Sequence, residues 1–165
     1  MKRITLAMGI LCMTLAVHAQ KFGHISADLL LQDMPEYDSA QAKIEDLRSQ
    51  YDLEIERIQV EINKKIEEYN QNESTMSNLI KEAKASEIQE MQVRLQNFAQ
   101  TAQQDLQQQS MALMQPVMDK ARKAIEAVAK EKGLIYVFDL SQGNPVYASE
   151  ESLDMLPLVR QKMGL

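Results

Sequence analysis

Residue types that could carry out chemistry are few in this sequence, and none of them cluster. His24 is a lone imidazole on a short predicted strand, and Cys12 is the only cysteine. Acidic pairs such as Glu67 with Glu68 have no neighbouring histidine or nucleophile, which acid–base catalysis would require. No glycine-rich loop with a phosphate-binding lysine occurs. We therefore expect no enzyme activity, no metal and no cofactor, and we interpret His24 as a structural or surface residue.

The first nineteen residues have the features of a secretory signal. Lys2 and Arg3 give a positive start, Ile4 to Val17 is apolar, and the small residue Ala19 fits a cleavage site. The alternative is an uncleaved membrane anchor, for which this apolar run is short. We expect cleavage after Ala19, which leaves a mature chain without cysteine. Disulfide scaffolds, thiol nucleophiles and cysteine-ligated zinc are then excluded.

Composition favours long helices and an acidic surface. The chain has 165 residues with only five Gly and four Pro, too few turn formers for a β-sandwich. Its formal net charge is −6, and the loss of Lys2 and Arg3 with the signal makes the mature chain more acidic still. Such a chain repels phosphate backbones, so we expect no nucleic-acid partner.

A first helical segment is predicted by apolar residues at intervals of three and four. This apolar seam repeats after eleven residues, a period that predicts a nearly straight or slightly right-handed line along the helix. Its members are Ile44, Leu47, Tyr51, Ile55, Ile58, Ile62, Ile66 and Tyr69.

A second helical segment follows, with apolar residues in threes and fours from Ile88 to Val128. Asn, Ser and Thr between 70 and 78 predict a chain reversal, so we expect helices over about 36–71 and 77–131. The alternative is one continuous helix. The arm therefore covers residues 35–130 with its tip near 70–78, and Pro116 predicts a kink in the second helix.

The two ends of the chain, 20–34 and 131–165, predict one small α+β head. Strands are expected at 21–26, 134–138 and 146–148, with a brief helix at 28–33 and a closing helix capped by Ser149 or Ser152 that runs to Met163. A head this small has open sheet edges and little core, so oligomerisation is expected to support it. The residues expected in this oligomerisation head are Phe22, Ile25, Ile135, Val137 and Val146.

The order of these segments resembles the Skp/OmpH family of periplasmic chaperones. The most specific matches are residues 21–32 and the block 133–148, which includes Asp139 and Tyr147. The resemblance implies an α+β fold in which small β-rich heads form a homotrimer and antiparallel helical hairpins surround a cavity. It also implies an ATP-independent periplasmic holdase that binds unfolded outer-membrane β-barrel precursors. The alternative is a structural coiled-coil envelope spacer or secretion-apparatus protein that binds a folded partner.

Candidate client-binding residues are apolar side chains outside the seams. Met76, Leu79 and Ile80 lie at the expected tip, where they either contact a client or staple the hairpin end. Leu53, Val60 and Val93 either line an inner face or widen the packing stripe. The glutamines between 100 and 109 make polar client contacts or form a solvated face. The acidic charge argues against contact with a membrane or with lipopolysaccharide.

Overall fold

The structure, a computed structural model, describes residues 21–141, 143 and 145–165, so the predicted signal sequence lies outside the described residues. These residues divide into a head unit, which comprises the described residues up to Leu30 and residues 121–165, and an arm unit, Leu31–Lys120. None of the described helices is long and apolar enough to cross a membrane. The elements are β1 (Phe22–Ile25), α1 (Ala27–Gln32), α2 (Pro35–Asn72), a 3₁₀ turn (Glu73–Thr75), α3 (Asn78–Lys132), β2 (Tyr136–Asp139), β3 (Leu153–Asp154) and α4 (Leu156–Met163).

The arm unit is an antiparallel helical hairpin. Helix α2 begins with Pro35, whose fixed φ suits a first turn, and Glu36 and Asp38 favour that positive end. It ends at Asn72, and after the 3₁₀ turn Met76 takes an extended conformation before α3 begins. The alternative of one continuous helix is thereby excluded, and the reversal lies where the sequence predicted it. Pairs that join α2 to α3, such as Lys65 with Glu87, link positions nearly equidistant from this turn.

Helix–helix packing in the arm uses a narrow apolar line. Ile58 and Ile62 of α2 are buried, as are Ala102 and Val117 of α3. Helix α3 continues through Pro116. The kink at this residue stays a prediction.

The head unit contains a three-stranded sheet in the order β2-β1-β3, with both pairings parallel. On its inner face Ile25 is buried with Leu30, Met155 and Val159. The final turns of α3 also belong to this unit, where Val128 is buried and Glu131 pairs with Lys162 at 2.6 Å. The sheet therefore has one apolar face covered by the chain's own helices.

The predicted third strand at Val146–Ala148 is wrong, because the strand that pairs with β1 is Leu153–Asp154. Val146 is 96% exposed. The reason lies in Gly23, where an added Cβ would lie 3.3 Å from the Leu153 carbonyl oxygen and 3.1 Å from Met155 Cγ. A Cβ at this position would be crowded by β3, so the glycine favours the close approach of the two backbones, whereas 146–148 have only the propensity for a strand.

Two further details of the head differ from expectation. Strand β2 begins at Tyr136, and Ile135, expected within the strand, lies just before it and is 48% exposed. The closing helix α4 has no serine cap, since the Leu156 amide donates to the Asp154 carboxylate at 2.9 Å instead. Its end is as predicted, with Gly164 in the left-handed conformation after Met163.

Candidate interaction surfaces

The polar side chains of the head sheet are used in hydrogen bonds within the chain. His24 Nδ1 lies 2.9 Å from Ser152 Oγ, which joins β1 to the turn before β3. Among the residues that the structure describes, no group of three or more His, Cys, Asp or Glu side chains could hold a metal ion. The arrangement therefore gives His24 a structural hydrogen bond.

Asp139 organises the junction between β2 and α1. Its carboxylate accepts hydrogen bonds from the Ala27 amide at 3.1 Å and from the Ser141 amide and hydroxyl at 2.9 and 2.7 Å. Partial burial raises the pKa of this carboxyl, but the hydrogen bonds from Ser141 and Ala27 outweigh it and hold the pKa below its usual range. Asp139 thus acts as a long-range cap for the start of α1.

The turn of the hairpin presents apolar side chains to solvent. Leu79 is 77% exposed and Ile80 is about half exposed, whereas Met76 is partly covered. Thr75 Oγ1 donates to the Asn72 carbonyl at 2.9 Å, which fixes the turn itself. Met76 therefore fits the stapling interpretation better, and Leu79 and Ile80 are accessible for contacts with another molecule.

On the shaft of the arm, the structure separates the packed seam from the exposed positions. All eight residues of the first seam, from Ile44 to Tyr69, are buried or half-buried. Leu53, Val60 and Val93 are each at least half exposed. These three side chains therefore do not widen the packing line and are open to solvent.

A polar contact that the sequence did not predict connects the two helices at mid-arm. The Tyr51 hydroxyl donates to the Asp105 carboxylate, and the Tyr51 ring lies edge-on to Phe98 with centroids 6.2 Å apart. The hydrogen bond to Asp105 raises the pKa of Tyr51. Nearer the tip, Lys65 Nζ lies 2.5 Å from Glu87 Oε1, which raises the pKa of Lys65 and lowers that of Glu87.

The outer face of the head sheet carries three aromatic rings. Phe22 stacks on Tyr136 with centroids 6.3 Å apart and contacts Phe138 at 6.2 Å, and Tyr136 and Phe138 are also 6.2 Å apart. All three are exposed. Of the other expected head residues, Ile25 is buried, Val137 is half-buried, and Ile135 and Val146 are exposed. Strand register brings Tyr136 and Phe138 together with Phe22, a grouping that sequence reasoning missed.

Comparison with known proteins gives a family match and a match to solved structures. The family model described as outer membrane protein (OmpH-like) matches residues 21–163. The crystal structure of an OmpH-like protein from Caulobacter crescentus CB15, a candidate outer membrane chaperone, superposes with a TM-score of 0.73 at 13% sequence identity. The match covers 85% of this chain and 81% of that chain, and at this identity it shows the fold alone. No curated protein matches the sequence.

Proposed function

The chain belongs to the OmpH-like outer membrane protein family, and from this membership we propose that it is an ATP-independent periplasmic holdase. It binds unfolded outer-membrane β-barrel precursors in a cavity between helical arms and prevents their aggregation. The observation that carries this proposal is an arm whose apolar seam is filled by its own two helices while isolated apolar side chains remain exposed at its tip. Several weak contacts around one cavity give a high effective concentration without a single strong site.

The client-contact residues that we propose are first those of the tip, Leu79 and Ile80, with Met76 beside them. Leu53, Val60 and Val93 on the shaft are the second set, each exposed singly. Unfolded clients present varied side chains, and a flexible thioether or aliphatic group can adapt to them. The partner is thus an unfolded polypeptide, and no ATP, metal or other cofactor takes part.

Assembly into a homotrimer through the head is the second element of the proposal. Phe22, Ile135, Val137 and Val146 lie in the head unit and, with buried Ile25, form the oligomerisation head that we propose. The contiguous rings of Phe22, Tyr136 and Phe138 support this assignment, because exposed aromatic patches mark protein interfaces.

The proposed location is the periplasm, reached through the signal sequence and its cleavage after Ala19. The acidic net charge of −6 supports a protein that binds neither nucleic acid nor anionic membrane surfaces such as lipopolysaccharide. Long charged faces on α2 keep an empty arm soluble between clients.

The test combines native mass spectrometry with light scattering on the mature chain from Gln20. A trimer that takes up one urea-unfolded outer-membrane barrel protein, and suppresses aggregation of several unrelated ones, is the expected result. A chain that ignores unfolded barrels and binds one folded partner at fixed stoichiometry would contradict the proposal and favour the envelope spacer.

A triple variant locates the activity on the arm. Changing Met76, Leu79 and Ile80 to Ser should weaken client holding and leave the native mass unchanged, because all three lie at the turn of the arm and outside the proposed oligomerisation head. The matched control changes the exposed residues Asn70, Glu82 and Ala85 near the same turn to Ser. Full holding activity in the first variant would show that the tip is not the contact site.

A further inference from the structure

One stretch of the arm differs from the rest in carrying almost no charge. From Leu95 to Met118 on α3, Asp105 is the only charged residue. Its carboxylate already accepts the hydrogen bond from the Tyr51 hydroxyl of α2. The solvent-facing side of this stretch therefore offers no free ionic group, although a quarter of the chain's residues are charged.

Helical geometry places a set of exposed residues in one line along this stretch, beginning just before it at Val93. At 100° per residue they lie on the side of α3 away from the buried Ala102 and Val117. Successive members are seven, four, three, four and seven positions apart, and all are exposed. We define them as the neutral stripe: Val93, Gln100, Gln104, Gln107, Met111 and Met118.

The glutamines of the neutral stripe are not used within the chain. Elsewhere on the arm, Gln41, Gln50, Gln59, Gln71 and Gln115 each donate a side-chain hydrogen bond to a residue four positions away. Within the part of the chain that the structure describes, the side chains of Gln100, Gln104 and Gln107 make no such bond. Each of these amides therefore presents a donor and an acceptor to another molecule.

The equivalent line on α2 has a different character. At helical spacing and on the side away from its own seam, it consists of Ser49, Leu53, Glu56, Val60, Lys64 and Glu67. We call this line the charged stripe. Leu53 and Val60 are seven residues apart and 63% and 60% exposed, which nearly matches Met111 and Met118 at 60% and 54%. The two helices thus carry the same apolar exposure in charged and in uncharged surroundings.

We propose that the neutral stripe binds extended, uncharged segments of unfolded polypeptide, a proposal that rests on the holdase function above. The backbone N–H and C=O groups of an extended segment can pair with the free glutamine amides. Its apolar side chains contact Met111 and Met118, whose flexible thioethers accommodate different shapes. A charged client side chain loses hydration there without gaining an ion pair, so charged segments bind less well.

A second copy of this chain is a poor occupant of the same surface. Packing between helices needs apolar side chains every three or four residues, whereas the neutral stripe has glutamines beside its two methionines, which stand seven positions apart. A stable interface buries about 800 Å² on each partner around an apolar centre, which two separated methionines do not supply. The glutamines and methionines of the neutral stripe are therefore better suited to many weak contacts with an unfolded chain than to one packed helical interface.

The experiment compares two variants in the full mature protein. The first is M111K with M118K on the neutral stripe, and the second is L53K with V60K on the charged stripe. The probes are a urea-unfolded outer-membrane barrel protein and two soluble labelled peptides, one alternating Val with Thr and one in which half of the Thr positions are Glu. Circular dichroism and native mass verify that each variant retains its helices and its oligomer.

The M111K/M118K variant should bind the Val–Thr peptide at least about tenfold more weakly, whereas L53K/V60K, which changes two of the second set of client contacts, should weaken binding by only about two- to threefold. For the wild type, the Val–Thr peptide should bind more tightly than the Glu peptide, with no loss between about 0.05 and 0.5 M salt because no ion pair forms. Equal losses in both variants would overturn the neutral stripe while leaving the holdase intact. A wild-type chain that binds neither the barrel protein nor the peptides would instead overturn the proposed function.

Discussion

The arm and the head treat their apolar surface differently. In the arm, two helices of the same chain bury Ile58, Ile62 and Ala102, and the apolar side chains that remain exposed stand singly along the shaft, with Leu79 beside Ile80 at the turn. In the head, the inner face of the sheet is buried around Ile25 and Leu30. Its outer face carries aromatic rings in mutual contact, all of them exposed.

This difference indicates which unit needs a partner for stability. An isolated exposed leucine is ordinary on a protein surface, but a contiguous aromatic patch is typical of an interface. A sheet of three short strands also supplies little core of its own. The arm is therefore expected to hold its fold from its own seam, and the head from association with other heads.

The largest expected effect comes from placing charge on the aromatic face. Tyr136→Asp together with Phe138→Asp should convert the proposed trimer to single chains, because buried carboxylates without partners oppose association. Both side chains are exposed in the single chain, so the head should keep its own fold. Native mass spectrometry measures the change, with the more exposed Leu79→Asp in the arm as the control. An oligomer that survives the double substitution would show that the aromatic face is not the interface.

A smaller effect is expected within the arm seam. Ile62 is 1% exposed, and Ile62→Ala should lower the free energy of unfolding by about 2 to 4 kcal/mol through lost contacts and a cavity. Val60→Ala, two residues away and 60% exposed, should change it by less than about 0.5 kcal/mol. Urea unfolding at one protein concentration compares them. Similar losses in the two variants would mean that the arm is not stabilised along this seam.

The sequence predicted the arm more closely than the head, for a physical reason. Helical periodicity is local, so the predicted helices at 36–71 and 77–131 differ by one residue at each end from those of the structure. Strand pairing depends on segments far apart in sequence. The residues Val146–Ala148 have a propensity for a strand, but Leu153–Asp154 pairs with β1 instead. Gly23 of β1 has no Cβ, which favours the close approach of this segment.

In the candidate surfaces too, local features could be predicted from the sequence and long-range contacts could not. The exposure of Leu79 and Val93 follows from their positions off the helical seams, which the sequence displays directly. The contacts of Tyr51 with Asp105 and of Asp139 with Ala27 join residues 54 and 112 positions apart. One signal for the first was available, since Asp105 is the single charge in a neutral stretch. No local sequence pattern predicts the contact of Asp139 with Ala27.

Changes at Asp139 are expected to have the smallest effect on the free energy of unfolding, but an effect with a characteristic pH dependence. Its hydrogen bonds from Ser141 and Ala27 hold the carboxyl pKa below its unfolded value, despite the opposing effect of burial. The ionised group therefore contributes stability above the unfolded pKa of about 3.9, and this contribution disappears as pH falls through the lower folded pKa. Asp139→Ala should cost about 0.5 to 2 kcal/mol at pH 7 through the lost cap.

Asp139→Asn separates the charge from the geometry, because the amide keeps an oxygen acceptor but does not titrate. Urea unfolding from about pH 7 to about pH 3 should show the wild-type advantage over the Asn variant shrinking on the acid side. The control Asp52→Asn removes an exposed carboxylate on the arm and should change the free energy of unfolding at pH 7 by less than about 0.5 kcal/mol. A difference between wild type and Asp139→Asn that stays constant with pH would mean that the charge of Asp139 does not stabilise the junction between β2 and α1. The hydrogen bonds at this junction would then stabilise it without a contribution from the charge.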